Sequence, residues 1–519
     1  MEQKYIAALD LGSSKIALAV AEVSGQNVQV IYYSETPSDG IRYSTVFNPQ
    51  RASVKIRKAI QEAEEQLMIR IRQVIVGLPR YSVGQEVAKG DFPRNNANEY
   101  ISREEIDLLK DIALQQYPLD NEETQYIYGA VAQSFSTDTE IQLSEEDVVG
   151  TLSSHVAGNF KIFIGQRSSV NAIDKMFNDM GIAIAKKYFL PDVTAKAVLT
   201  EEEKENGVAL VDFGDGVTSV TIYQKGIMRH YYAIPFGGSN VTRDIRIECS
   251  ISPALAENIK LAYGACQPNK LANLSEKVLQ IRYEDRPFKE IPVKYISSII
   301  DSREREIIDA ILFSIQESSM KDELRSGVVI TGGGANMANL CNLFKDMSGY
   351  QVRIGHPRHR FSSDVAGTSE TSAVSVIGML LSARDDRLPG CMMAPPTIPT
   401  FWNASPAVPE QEEEVTEVPE DPQPEVRYNE PEVPQEEPEA QPEVQEEPAQ
   451  PIQPIQPIQP VHRPVDQEIP REEPPKKKQT AASQRKTFGL GTWTKIKNKI
   501  GNAIDDFYTN LTKEVEIKE

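Results

Sequence analysis

Three glycine-rich turns, far apart in the chain but alike in setting, constrain the fold most. They are Ala8-Leu9-Asp10-Leu11-Gly12-Ser13-Ser14-Lys15, Val211-Asp212-Phe213-Gly214-Asp215-Gly216 and Ile330-Thr331-Gly332-Gly333-Gly334-Ala335-Asn336-Met337. Each follows an apolar, β-branched run (Tyr5 to Leu9, Val208 to Val211, Val328 to Ile330), so each reads as a strand ending in a tight turn. Glycine lets backbone N–H groups approach an anion with no Cβ in the way, and such a turn forms a nest for phosphate oxygens. Two of the turns also carry an acid, Asp10 and Asp212. Facing carboxylates at two phosphate turns are what a hydrated Mg²⁺ on a nucleotide needs. One such turn is commonplace. Three in order predict a single phosphate site built from remote parts of the chain.

The rest of the chain must then be long enough to assemble that site. At 519 residues it exceeds one ordinary domain, and its first 390 or so can bury a large core. The net charge of −21 is uneven. Residues 401–475 hold 20 acidic and 3 basic side chains, whereas 476–519 hold 10 basic and 5 acidic. The first 400 residues are therefore only mildly acidic, which weighs against a nucleic-acid-binding head. The four cysteines, Cys249, Cys266, Cys341 and Cys391, form no CxxC pair or metal spacing and fit a reduced, cytoplasmic protein. Asp10 interrupts the first apolar run too early for a signal peptide, and Ala373 to Leu381 is too short to span a bilayer.

Strand-like runs alternate with amphipathic helices through residue 385, which predicts an α/β fold. Ile56, Ile60, Ala63, Leu67 and Ile71 recur at helical spacing, and Val74 to Leu78 reads as a strand. Residues 80–165 differ in texture, being rich in Asn, Gln, Ser and Thr. A capped helix from Ser102 and short strands around Tyr126–Val131 and Phe160–Ile164 predict a small inserted α+β domain there. The α/β pattern resumes at Ser169 with a helix through Met180.

Residues 391–485, with Pro-Glu-Val repeats and Pro-Ile-Gln triplets, read as a disordered, acidic, Pro-rich linker. Beyond it the helical pattern returns in 486–519. At about 100° per residue, Trp493, Ile496, Ile500, Ile504, Phe507 and Leu511 share one face, with Lys497 at its border. An apolar stripe, an interfacial Trp and flanking lysines suit an amphipathic helix lying on an anionic membrane. Docking on a partner is the other reading; the long polar linker argues against docking on the head.

These motifs together resemble the actin/Hsp70/sugar-kinase superfamily. More closely, the chain is similar to the FtsA family of bacterial cell-division actin homologues, over roughly 1–385 and the C-terminal helix. The run Pro235-Phe236-Gly237-Gly238-Ser239-Asn240-Val241-Thr242-Arg243-Asp244 is similar to a family segment. So is Ala256-Glu257-Asn258-Ile259-Lys260-Leu261-Ala262-Tyr263-Gly264. The resemblance implies an actin-like two-lobe ATPase fold. The first lobe would hold 1–79, continue over 167–205 and return over 356–390. The FtsA-type subdomain would fill 80–166. The second lobe would span 206–355, with an outer subdomain at about 241–320.

In this family ATP sits between the lobes. The resemblance puts Gly12, Ser13, Ser14 and Lys15 on one phosphate loop, and Asp212, Gly214, Gly216 and Thr218 on or beside the other. Gly238 would join the cleft from the family's GG segment. Gly332, Gly333, Gly334 and Met337 would border the adenosine, and Glu257 and Lys260 would face ribose or adenine. The last pair also reads as a surface ion pair, and Lys15 as a solvated lysine. Mg²⁺ would be held through water by Asp10 and Asp212. The C-terminal peptide of FtsZ, the tubulin-like division protein, would dock near Arg286, Arg303 and Glu306, although Ser302 to Glu306 equally reads as a solvated helix face.

The implied function is an ATP-binding cytoskeletal adaptor, peripheral to the inner membrane on its cytoplasmic face at the division site. It would polymerise head to tail, anchor FtsZ filaments and recruit later division proteins. Two departures from the family pattern predict weak ATPase activity at most. The second loop usually reads DxGGGTxD; here Asp215, Val217 and Ser219 replace a Gly, the Thr and the last Asp. Hydrolytic relatives also place Glu or Gln before the proline where this chain has Leu190-Pro191, and leucine does no acid–base work. Asp192 is the nearby substitute. A pilus-assembly relative of FtsA and a small-molecule kinase of the same superfold are the alternatives. The kinase would need a catalytic Asp in the cleft, for which the sequence offers no convincing candidate.

Overall fold

The computed structural model describes residues 4–270, 276–283, 286–358, 360–390 and 392–393. Two sheets of one topology form its frame. The first begins with the antiparallel strands Lys4–Leu11, Lys15–Ser24 and Asn27–Pro37. On the other side of Lys4–Leu11 lie the parallel strands Gln73–Gly77 and Ala183–Tyr188. The second repeats the order: Val208–Phe213, Thr218–Gln224 and Ile227–Ile234 are antiparallel, and Val328–Thr331 and Val352–Ile354 add parallel to Val208–Phe213. Each sheet thus turns its first hairpin, at Gly12 and at Gly214, beside the C-terminal end of a parallel strand. Ligands of α/β sheets bind at that edge.

Local chemistry explains the crossovers. The helix Pro49–Leu67 opens with Asn48, whose side chain accepts from the Arg51 N–H, and with Pro49 in its first turn. Its buried face is Ala52, Ile56, Ala59, Ile60 and Ala63. It stops one turn earlier than the apolar spacing predicts, because Met68 takes a left-handed conformation (φ 55°). Ile71 therefore leaves the helix for the short strand Arg70–Ile71. Met392–Met393 pairs with that strand, inside the range the sequence assigns to the linker. The remaining linker residues and the expected helix of 486–519, with Trp493, Ile496, Lys497, Ile500, Ile504, Phe507 and Leu511, lie outside the described residues. Among the described residues no helix is long and apolar enough to cross a membrane.

Residues 84–166 form a third, antiparallel sheet ordered Gly84–Pro93, His155–Gln166, Gln125–Thr137. Ser102 and Glu105 cap the helix Arg103–Gln116 reciprocally, as the Ser-Arg-Glu-Glu pattern predicts. That helix packs on the sheet around a separate core of Ile106, Leu109, Ala113, Phe135, Phe160 and Ile162. Two strands are longer than the sequence suggests, and Gly84–Pro93 was not legible at all. Its inward positions are Ala88, Gly90 and Phe92, between exposed Lys89 and Asp91, and with two of the three so small the alternation is hard to see in the sequence. The insert is fastened to the second lobe through the strand Ile227–Ile234. Gln133 Nε2 donates to Met228 O (2.9 Å), Arg229 Nη1 to Gln133 O (3.2 Å), and the Tyr231 N–H to Gln85 Oε1 (3.1 Å). Cys249 and Cys266 are buried and Cys341 half-buried, all three as free thiols.

Candidate functional site

The two hairpin turns are tight for the same reason. A Cβ on Gly12 would lie 2.6 Å from the Lys15 carbonyl oxygen, and one on Gly214 would lie 2.5 Å from that of Val217. The turns also meet across the cleft: a Cβ on Gly216 would stand 2.7 Å from Ser13 Oγ. The third turn closes against the second. Gly332 has φ +84°, and its missing Cβ would fall 2.3 Å from Asp212 Oδ1. Thr371 Oγ1 donates to the Gly332 carbonyl at 2.9 Å.

These turns enclose a cavity of about 480 Å³. Asp10, Gly12, Ser13, Ser14, Lys15, Asp212, Gly214, Gly216, Gly238, Glu257, Lys260, Gly332, Gly333, Gly334 and Met337 all line it. Thr218 does not. It is fully buried and its hydroxyl donates to Phe236 O (2.9 Å), so it cannot replace the hydroxyl lost at Val217. Lys15 faces the cleft but pairs with Glu35, which also accepts from Tyr33 and Ser372. Glu257 and Lys260 are more than a solvated ion pair. Lys260 is buried, with Nζ 2.8 Å from Glu257 Oε2 and donating to Gly238 O at 3.2 Å. Burial raises the Asp215 pKa; Lys260 opposes the shift and Glu257 adds to it. Glu304 lines the cavity too, with Oε2 buried and unpartnered.

The two acids are not free to face a metal. Arg80 lies between them, its side chain 11% exposed. Its Nη2 stands 3.2 Å from Asp10 Oδ2 and its Nε 3.2 Å from Asp212 Oδ2. Nη2 also donates to Ser375 Oγ at 2.6 Å. Burial works against the guanidinium charge, but Asp10 and then Asp212 outweigh it, so the Arg80 pKa rises. Burial raises the Asp212 pKa despite Arg80. As arranged, Asp10 and Asp212, where Mg²⁺ is expected, are bridged by a cation of the chain, and this donor set does not fit a hydrated metal ion. Sequence reading missed Arg80. The signal available was Pro79-Arg80 directly after the wholly apolar Val74-Ile75-Val76-Gly77-Leu78, at the ligand-binding end of a parallel strand.

Leu190, at the start of the helix Leu190–Val198, is buried over Gly77, where a Cβ would meet its Cδ2 at 2.5 Å. Asp192 does not line the cleft; Tyr223 OH donates to its Oδ1 at 3.1 Å. Leucine cannot orient a water, and Asp192 does not reach the cavity. On the helix Val293–Glu317, Arg303 pairs with Asp244 (2.5 Å) and Glu306 (2.6 Å). Arg286 opens the strand Arg286–Pro292, and its side chain lies outside the described residues.

Two lobes of one topology, each giving a glycine turn to a shared cleft, define an actin-like protein. A chain of the solved "PilM-PilN type IV pilus biogenesis complex" shares this fold, with TM-score 0.52 and 15% identity over 73% of this chain and 98% of that one. Residues 209–378 match the family model described as Cell division protein FtsA, and curated relatives of that name resemble most of the chain. It is 28% identical over 386 residues to Cell division protein FtsA of Neisseria meningitidis, covering 74% of this chain and 91% of the relative. It is 29% identical over 360 residues to that of Borreliella burgdorferi, covering 69% and 86%.

Proposed function

We propose that the head binds ATP between its lobes, assembles head to tail, and ties FtsZ filaments to the cytoplasmic face of the inner membrane. The observation that carries this reading is the convergence of three glycine turns on one polar cavity, with Lys260 and Met337 along its wall. The basic, amphipathic pattern of 486–519 supplies the membrane contact, and the insert offers a surface for neighbouring protomers or later division proteins. Turnover is expected to be slight, because neither Leu190 nor the engaged Asp192 can activate water from the position that hydrolytic relatives use.

Liposome co-sedimentation tests this. The full chain should pellet with anionic vesicles, more so with ATP, and a chain ending at Lys486 should stay in the supernatant. If both stay soluble, the membrane reading fails.

The FtsZ surface has its own test. Arg303 is tied to Asp244, so reversing its charge would also disturb the fold. Glu306 is more exposed, at 43% for its side chain. Glu306→Lys should weaken binding of the FtsZ C-terminal peptide by about fivefold or more, roughly 1 kcal/mol. Unchanged affinity by fluorescence anisotropy would move the docking surface elsewhere.

A further inference from the structure

Arg80 sits where a divalent cation would bridge the two acids, and it is built in. Its carbonyl accepts from Tyr231 OH at 2.5 Å, and its N–H donates to Ser44 Oγ at 3.3 Å. Tyr231 is held edge-on against Phe189 (centroids 5.2 Å apart) and Phe163 (6.1 Å), while those two rings stack at 4.5 Å. The backbone carrying Arg80 is thus clamped by an aromatic cluster that joins the insert, the first lobe and the second. At the other end, Asp10, Asp212 and Ser375 fix the guanidinium. Pulling it out would leave two carboxylates, each under 15% exposed, without a counter-charge. Stranding a buried charge in this way is strongly unfavourable.

The cleft's other cations are already engaged, Lys15 with Glu35 and Lys260 with Glu257. Arg80 is the cation set between the two acids, so it, rather than Lys15 or Lys260, occupies the place of a bridging metal ion. One of its donors is also poorly used. Nε is close enough to Asp212 for an ion pair, yet it has no well-aligned acceptor. A guanidinium offers a planar fork of N–H donors, a good geometric match to phosphate oxygens.

We propose that Arg80 replaces the divalent metal ion in this cleft, so that the head holds the phosphates of ATP without Mg²⁺. The inference rests on the proposal that the cleft binds a nucleotide. It also bears on turnover: a fixed monovalent guanidinium offers less charge to a γ-phosphate than a divalent ion does.

Calorimetric titration of ATP into the full chain, with excess EDTA or with excess MgCl₂, decides it. The two dissociation constants should agree within about threefold. A loss of about tenfold or more in EDTA overturns the inference while leaving the nucleotide reading intact. No binding in either condition overturns both. Arg80→Ala should reverse the pattern, losing affinity in EDTA by about tenfold or more and recovering with Mg²⁺, because the acids are then free to take the metal. The comparison on the unaltered chain decides the matter even where Arg80→Ala does not fold.

Discussion

Glu304→Gln is expected to stabilise the head at pH 8 and to leave it nearly unchanged at pH 4.5. Glu304 lies on the helix Val293–Glu317 and is 4% exposed, with Oε2 lacking any hydrogen-bond partner. Burial pushes its pKa up to about 7, against the opposing pull of Lys260 and Arg303. Cys266, a buried thiol, also faces it; its own pKa is raised first by burial and then by Glu304. The sign follows from linkage. A carboxyl whose folded pKa lies above its unfolded value binds more protons in the native state between the two. Stability is therefore intact below the ordinary value of 4.5 and falls as pH rises through 7. Glutamine keeps the shape and cannot ionise, so it escapes the loss. The upper bound for the gain above pH 7 is about 3 kcal/mol, since each tenfold change in a protonation equilibrium is worth about 1.4 kcal/mol. Thermal denaturation of both chains at pH 4.5, 6 and 8 measures it. A difference in melting temperature that does not grow with pH would show that Glu304 is ionised at no cost.

The fold was legible where apolar periodicity and turn chemistry agreed. Tyr5 to Leu9, Val208 to Val211 and Val328 to Ile330 are buried strands, and the glycines after them do close on one another. A Gly-rich turn after a buried strand has few alternatives, so three of them can be joined from sequence alone. Periodicity failed where burial was sparse, at Gly84–Pro93, and where a backbone conformation overrode it, at Met68. The charges of the cleft were harder for another reason. Sequence spacing brought Asp10 and Asp212 together, but nothing local relates Arg80 to either, since the pairing spans 70 residues on one side and 132 on the other. Reading an acid pair as a metal site assumes that the folded chain brings no cation of its own. Glu35, which meets Lys15 from the neighbouring strand, was missed for the same reason.

Gly332→Ala is expected to be severely damaging, and Gly333→Ala, one residue away, nearly silent in stability. A Cβ on Gly333 meets nothing within 4 Å. On Gly332 it would stand 2.3 Å from Asp212 Oδ1 and 2.6 Å from the Phe213 carbonyl, in a backbone conformation of φ +84°. With ψ at 170° this is a region open essentially to glycine alone, and it costs a residue with a Cβ about 1–3 kcal/mol. The clash adds more, because Asp212 cannot retreat without leaving Arg80, and breaking a buried ion pair costs about 3–5 kcal/mol. Since the backbone can share part of the displacement, the expected loss for Gly332→Ala is roughly 3–5 kcal/mol, with nucleotide binding lost as well. Chemical denaturation of the two alanine variants compares them directly. Equal stability of the two would mean that Asp212 moves freely, and the bridge through Arg80 would then be too loose to stand in for a metal ion. A large loss confined to Gly332→Ala would show the third glycine turn, the second acid and the arginine acting as one rigid unit.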